Sequence, residues 1–412
     1  MTPAATDPLV APRPNASTRL LSLDALRGFD MLWIIGAGAA VCAPGKDSDS
    51  AFLRLLAGQL EHKDWAGFAF YDLIFPLFVF IVGVSLVWSL TRTIAEQGRA
   101  PAIRRIATRS ALLFALGIFY SGGLNAAWPD IRLLGVLQRI ALAYAGAGLL
   151  FCFFKPRALV GICAGILLGY WALMTVVPIR DLRLDKGNVA KLTAATGPAD
   201  ARQLFLNTTN RVSGRFEPGY NLAHHVDFQF LPGKKYDTYW DPEGLLSTLP
   251  AIATCLLGIF AGLLLRSANF CDQWKLIYLV SFGVAGVLLG FAWGLQFPVV
   301  KKMWSSSFVL VAGGYSALLL AAFYLLVDVL KWQRWCQPFV WIGLNPITIY
   351  VVGNLVGGYG KVATRLVGGD VKRFCDTALA PGSGDIVISV AGLALAVLFA
   401  RFLYQRNVFL RL

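Results

Sequence analysis

His62 stands in the run Leu60-Glu61-His62-Lys63-Asp64-Trp65-Ala66-Gly67-Phe68, and it is one of three histidines among 412 residues. An imidazole titrates near neutrality, so a histidine beside a cavity can take a proton from a nucleophile or carry an acyl group itself. The alternative reading is an amphipathic anchor at a membrane surface, with Trp65 one turn on. On a continuous helix His62, Trp65, Ala69, Asp72 and Pro76 share one stripe, which could line a cavity. The same geometry puts His62 and Asp72 roughly 15 Å apart. Partners for the imidazole are therefore expected elsewhere, with Asp241, Glu243 and Asn125 as candidates.

Other polar residues fall where the chain is apolar. Asp24, Arg27 and Asp30 lie in one apolar segment, Asp72 in a second, Gln138 and Arg139 in another, and Asn345 precedes Pro346 in a fourth. A charge at membrane depth survives where it faces a bundle interior, a partner or water. Asp24 and Arg27 have the spacing of an ion pair on one helix face. Asp30 lies roughly 15 Å into its helix and is expected to face a polar cavity or an intramembrane partner. Asp72 and Arg139 have similar depth and opposite sign, so they are expected to pair. His224 and His225 are adjacent, and no further histidine or cysteine has ligand spacing nearby, so no zinc site is expected. The nucleotide-binding G-x-x-x-x-G-K, the G-x-S-x-G nucleophile elbow and the H-E-x-x-H metal motif do not occur.

The elements that carry these groups follow from composition. At 57% hydrophobic and 15% charged, the chain is too apolar for an ordinary soluble enzyme. Seven scattered cysteines without a C-x-x-C pair exclude a disulfide scaffold. A net charge of +14 could suggest nucleic acid, but the basic residues sit in short connections between apolar blocks, where a membrane protein carries them. The expected fold is an all-α polytopic membrane protein with about ten transmembrane helices. Spans are expected near residues 21–42, 65–90, 103–122, 133–154, 158–177, 245–265, 276–295, 305–330, 339–358 and 386–404. The third begins among arginines. Residues 1–20 read as a cytoplasmic tail, 21–177 as helices one to five, 178–244 as one sizeable extracytoplasmic loop, and 245–412 as helices six to ten. A secretory signal is not expected, because Asp24, Arg27 and Asp30 would fall in its apolar core. Basic residues favour both termini in the cytoplasm. Asp241, Pro242 and Glu243 have the order of a cap, a first position and a first turn of the helix that follows.

Several of these segments together resemble the heparan-α-glucosaminide N-acetyltransferase family and its bacterial relatives of the NagX type. The first is Ser22-Leu23-Asp24-Ala25-Leu26-Arg27-Gly28-Phe29-Asp30. Glu61-His62, Trp65, Gly67 and Asp72-Leu73-Ile74-Phe75-Pro76 follow, then Gly135-Val136-Leu137-Gln138-Arg139-Ile140 and Asp241-Pro242-Glu243-Gly244. Trp304 with Ser307-Phe308-Val309-Leu310 and Gly343-Leu344-Asn345-Pro346 complete the set, in family order. The match begins without the N-terminal segment and leading span of the animal lysosomal members, so it speaks to the core and leaves the acceptor open.

The resemblance implies a membrane-embedded acetyltransferase that moves acetyl from cytoplasmic acetyl-CoA to the amine of a glucosamine-type sugar on the far side, with no metal. The family's active-site histidine falls on His62, as base or as acetyl carrier. Arg92, Arg99, Arg104, Arg105 and Arg109 could attract the anionic nucleotide end of the coenzyme, or could serve only to set topology. A bacterial inner membrane is the expected location, and a homodimer the expected assembly. A permease for N-acetylglucosamine or related sugars is the competing reading, since both use a polar cavity between helices.

Overall fold

The computed structural model describes residues 20–38, 51–123, 125, 127–196, 198, 200–379 and 382–409. The tail before Leu20 and the connection at residues 39–50, with Cys42 and Lys46, lie outside the described residues.

Each expected apolar block contains helix. The first half holds α1 (Leu21–Leu32), continued by a π-helical turn at Trp33–Ala37, then α2 (Ala51–Gln59), α3 (Phe70–Gln97), α4 (Arg99–Tyr120), α5 (Val136–Phe153) and α6 (Pro156–Val176). After α7 (Lys186–Thr196), α8 (Ala201–Asn207) and α9 (Leu222–Phe230) come α10 (Thr248–Arg266), α11 (Asp272–Trp293) and α12 (Ser306–Phe323), the last continuing as a π-helical segment to Val329. The chain closes with α13 (Gln337–Leu344), α14 (Pro346–Leu355), α15 (Tyr359–Val367), α16 (Asp370–Ala378) and α17 (Ser383–Gln405).

Among the described residues, seven helices are long and apolar enough to cross a membrane: α3, α5, α6, α10, α11, α12 with its continuation, and α17. The chain is thus an all-α, multi-pass membrane protein. The ten expected spans differ from these seven for physical reasons. The first reaches beyond the described residues, and the third, α4, carries four arginines. The ninth is two helices, α13 and α14, bent by 76° at Asn345-Pro346. Proline lacks the N–H that continuation needs and disfavours helical geometry in the residue before it, and Asn345 sits at φ −132°, ψ 44°.

Helix α3 is the hub, packing against α10, α12, α5, α4 and α1. Its approach to α10 depends on small residues. A methyl group on Gly83 would overlap the Cys255 carbonyl, and one on Gly258 would overlap that of Phe80. Such close crossings let backbones touch where lipid gives no hydrophobic drive. Gly28 of α1 and Gly343 of α13 meet each other's helices in the same way.

Residues 178–247 build a small unit at one end of the bundle. Two short antiparallel ladders, β1 (Ile179–Arg180) with β2 (Arg211–Val212) and β3 (Phe216–Glu217) with β4 (Tyr220–Asn221), join α7, α8 and α9. Leu182, Leu184, Val189, Leu204 and Phe205 form its core. His224 and His225 are buried in α9. The ring of His224 stacks on Trp240 at 3.6 Å, its Nδ1 accepts the Gly219 N–H, and His225 Nε2 donates to the Leu182 carbonyl. Burial holds both imidazoles neutral, lowering His224 well below its ordinary value and His225 to about 4.

Candidate active site

The chain before α3 does not extend that helix, which corrects the single stripe expected from His62 to Pro76. Helix begins only at Phe70, and residues 60–69 fold back over its end. Gly67, at φ +119°, makes the turn, and its N–H donates to the Val299 carbonyl at 2.9 Å. Ala66 pairs antiparallel with Val300. Trp65 is fixed by an indole N–H bond of 2.9 Å to the Phe216 carbonyl of the 178–247 unit.

This fold-back brings His62 Nδ1 to 2.9 Å from Asp72 Oδ1, where an unbroken helix would have held them well apart. A carboxylate accepts, so Nδ1 carries the proton and Nε2 is left as the basic nitrogen. The other Asp72 oxygen accepts the N–H groups of Lys63 (3.3 Å) and Ala69 (3.2 Å), tying the loop to the first turn of α3. The Asp72 side chain is 2% exposed and that of His62 is 52% exposed, so a buried anion orients an accessible base. Tyr71 packs its ring 4.8 Å from the imidazole.

Lys301 completes the cluster. Its Nζ lies 3.1 Å from His62 Nδ1, 3.5 Å from His62 Nε2 and 3.6 Å from Asp72 Oδ1. Burial lowers the lysine pKa, and the Asp72 charge opposes that shift.

The expected Asp72–Arg139 pair is not formed. Arg139 is buried, bonds to the Ser247 hydroxyl and, at 3.4 Å, to the Gly244 carbonyl, and lies over the Trp304 ring at 4.9 Å. Loop closure, which depth along separate helices does not reveal, supplied Asp72 with nearer partners.

Asp241 and Glu243, expected as partners of His62, are instead gripped by Arg132. The guanidinium bonds both Asp241 oxygens (2.9 and 2.7 Å) and Glu243 Oε2 (2.8 Å). Burial opposes the Arg132 charge, but the two carboxylates more than offset it and raise its pKa. For Glu243 burial dominates and raises the pKa, against the pull of Arg139 and Arg132. The expected cap on α10 is also corrected. That helix starts at Thr248, and Asp241 instead accepts the N–H groups of Tyr236 and Glu243, each at 3.0 Å. Asp227 of α9 holds the same turn through the N–H groups of Leu245 (2.8 Å) and Asp241 (3.4 Å). A methyl group on Gly244 would overlap this carboxylate.

A cavity of about 380 Å³ opens beneath the cluster. His62, Lys63, Tyr71, Asp72, Lys301, Lys302, Arg132, Tyr236 and Glu243 contribute polar groups to it. Met31, Ile34, Ile74, Phe75, Phe78, Leu137 and Ile140 make much of the rest apolar, and Pro346, Ile347 and Tyr350 of the broken ninth block close one wall. Arg139 lies against the lining residue Trp304, and Trp65 is not among the lining residues. Asn125 is exposed in the connection after α4 and is not among the lining residues. Asn345 gives its amide to the Val408 carbonyl at 2.9 Å, while its neighbour Pro346 reaches the cavity. Arg27 pairs with Asp24 at 3.2 Å and also bonds the Ser85 hydroxyl (2.6 Å) and the Gly343 carbonyl (3.2 Å), joining α1, α3 and α13. Asp30 is fully buried one turn before Ile34, and neither of its carboxyl oxygens finds a hydrogen-bond partner among the described residues.

The five arginines proposed for a nucleotide lie elsewhere. Arg92 is twenty residues beyond Asp72 on α3, about 30 Å along the axis. It pairs with Glu96 at 2.8 Å, Arg105 donates to the Thr93 hydroxyl, and Arg109 lies over Tyr144. Arg104 is exposed, and Arg99 lines a separate hollow of about 320 Å³ with Lys155 and Phe151. None of the five lines the cavity under His62.

Sequence reading missed Lys301 and Arg132, which fall among the basic residues of the short connections between apolar blocks. The signal for Lys301 was its place three residues before Trp304, at the edge of a segment with family character.

Residues 19–186 match the family model described as heparan-alpha-glucosaminide N-acetyltransferase, catalytic. The chain is 26% identical to the mouse heparan-alpha-glucosaminide N-acetyltransferase over 454 aligned positions and 25% identical to the human protein over 468. Each alignment covers 99% of this chain, which spans 63% of the length of either relative. The matched model contains the whole His62–Asp72 loop, and the likeness to both mammalian proteins runs through Lys301 and α17 as well. Over residues 19–186 the chain thus resembles the catalytic part of the heparan-alpha-glucosaminide N-acetyltransferase family, and along nearly its whole length it is similar to two mammalian proteins of that name.

Proposed function

We propose that the protein is a membrane acetyltransferase that moves an acetyl group from acetyl-CoA to the amine of a glucosamine-type sugar, in a bacterial plasma membrane with both termini cytoplasmic. The observation that carries this reading is the His62–Asp72 pair, 2.9 Å apart, at a cavity whose remaining wall is largely apolar. The match of residues 19–186 to that family's catalytic model supports the reaction class, and the similar mammalian proteins are named for acetyl transfer to glucosaminide.

The chemistry follows from the pair. A sugar ammonium must give one proton to solvent before its nitrogen can attack a thioester, and the attacking amine must lose a second proton as the amide forms. His62 Nε2 takes that proton, and Asp72 holds the ring in the required tautomer and stabilises the imidazolium. The amine nitrogen bonds to the carbonyl carbon, the carbon–sulfur bond breaks, and the thiolate is protonated from the imidazolium. The apolar wall suits the thin arm that bears a thioester, and it excludes water that would hydrolyse it. Acceptor binding falls to the polar groups of the cavity, where Glu243 and Tyr236 join His62 in the lining. The hollow with Arg99 and Lys155, at the other end of α3, is the arginine site best suited to bind phosphate.

Purified protein in nanodiscs, given acetyl-CoA and a panel of amino sugars, should release free thiol in step with N-acetyl product. Absence of thiol release with every acceptor, together with uptake of labelled N-acetylglucosamine into proteoliposomes without coenzyme, would replace this reading by a permease.

A further inference from the structure

We propose that Lys301 is a second catalytic residue, whose ammonium stabilises the oxyanion formed when the amine adds to the thioester carbonyl. This rests on the acetyl-transfer reading above and assigns one of its charges. An addition step leaves negative charge on the former carbonyl oxygen, and a preorganised donor in a water-poor site is worth far more there than in solution.

Several donors line the cavity, but Lys302 is drawn to Asp237 at 3.9 Å and lies over the Trp240 ring. Arg132 is committed to Asp241 and Glu243, and the Trp304 indole N–H is given to the Thr254 hydroxyl at 3.0 Å. Lys301 differs. With Nδ1–H of His62 given to Asp72, the ammonium cannot donate to that same nitrogen. Its N–H groups are left for Asp72 Oδ1, at a long 3.6 Å, for the Nε2 lone pair at 3.5 Å, and for the cavity. Nε2 is the nitrogen that must take the proton. A group accepting negative charge and a group accepting a proton thus stand side by side, as amine addition requires.

The turn that carries Lys301 is held from several sides. Val300 pairs with Ala66, the Trp304 N–H closes on the Lys301 carbonyl at 2.9 Å, and Trp304 is set at φ +52° with its indole anchored. Little reorganisation is then needed when charge develops. In the step itself, the nitrogen lone pair forms the C–N bond and the carbonyl π pair moves onto oxygen beside Lys301 Nζ. His62 removes the amine proton, the oxygen pair returns as the carbon–sulfur bond breaks, and the imidazolium gives its proton to the departing thiolate.

The test compares wild type, Lys301→Met, Lys301→Arg and Lys301→Gln in nanodiscs by steady-state thiol release with acetyl-CoA and glucosamine, alongside thermal stability. The expected result is a fall in kcat of about 10²-fold to 10³-fold for Lys301→Met and Lys301→Gln. KM for both substrates should change little, and Lys301→Arg should recover part of the rate. Wild-type turnover with kcat retained in Lys301→Met, or a loss confined to KM, overturns the assignment to Lys301. A wild type that turns over no acceptor instead overturns the acetyl-transfer reading, and the Lys301 assignment with it. If Lys301→Met does not assemble, Lys301→Gln is read by the same criteria.

Discussion

The Nδ1–H of His62 has one strong acceptor, the Asp72 carboxylate, and that choice fixes which ring nitrogen meets the substrate. Two substitutions separate base from orienter. His62→Ala should lower acetyl transfer by at least about 10²-fold to 10⁴-fold, with acetyl-CoA still bound by calorimetry. Asp72→Asn keeps the shape and the bonds to the loop backbone but loses the charge that favours the imidazolium. Its kcat should fall by about 10²-fold or more, again without loss of coenzyme affinity. Wild-type rates in either variant would remove the pair from the reaction. The residue types involved were legible beforehand: a rare histidine, and a carboxylate in an apolar run. Their partnership was not, because periodicity assumes that a helix continues. What breaks it is Gly67 at positive φ and a bridge from Ala66 to Val300, a contact between residues far apart in sequence that no local pattern encodes.

Helices α3 and α10 meet through Gly83 and Gly258, and the crossing sets where α3 presents Asp72. Gly83→Val would force the helices apart, and overpacking of this kind costs about 1–3 kcal/mol. The variant should melt earlier in nanodiscs and lose turnover together with stability. Gly165→Ala on α6 is the matching control, since a methyl group there meets nothing within 4 Å, and its melting point should hold or rise. Equal behaviour of the two would deny the crossing its role. Apolar length made nearly every span legible, because hydropathy alone reports it. The break at Asn345-Pro346 was written in the chain as a proline, yet its 76° magnitude depends on what α14 packs against, and Tyr350 stacks on Tyr120 of α4 at 4.5 Å.

The unit of residues 178–247 holds the site from above, through Phe216 to Trp65 and through Asp227 to the Asp241–Gly244 turn. Its buried ionisable groups tie the stability of the whole assembly to pH with opposing signs. Burial lowers His225 from 6.5 to about 4, so its contribution to stability is present above pH 6.5 and is lost as pH falls towards 4. That is worth on the order of 3 kcal/mol, and His224 acts in the same direction. Burial raises Asp227 from 3.8 to about 7, so its contribution is present below pH 3.8 and is lost as pH rises towards 7. Acidification therefore weakens the histidines while favouring the aspartate, and the wild-type unit should lose only modest stability between about pH 7 and about pH 5. Asp227→Asn removes the compensation and keeps a side chain of the same shape, so its melting point should fall more steeply over that interval. Thermal unfolding of both proteins at the two pH values measures the difference directly. Parallel slopes would mean that Asp227 is already ionised in the folded protein, its burial offset by the two backbone N–H groups it accepts. A steeper slope in the variant would show that the turn presenting Glu243 to the cavity is held by a protonated acid, and that the outer unit and the site loosen together.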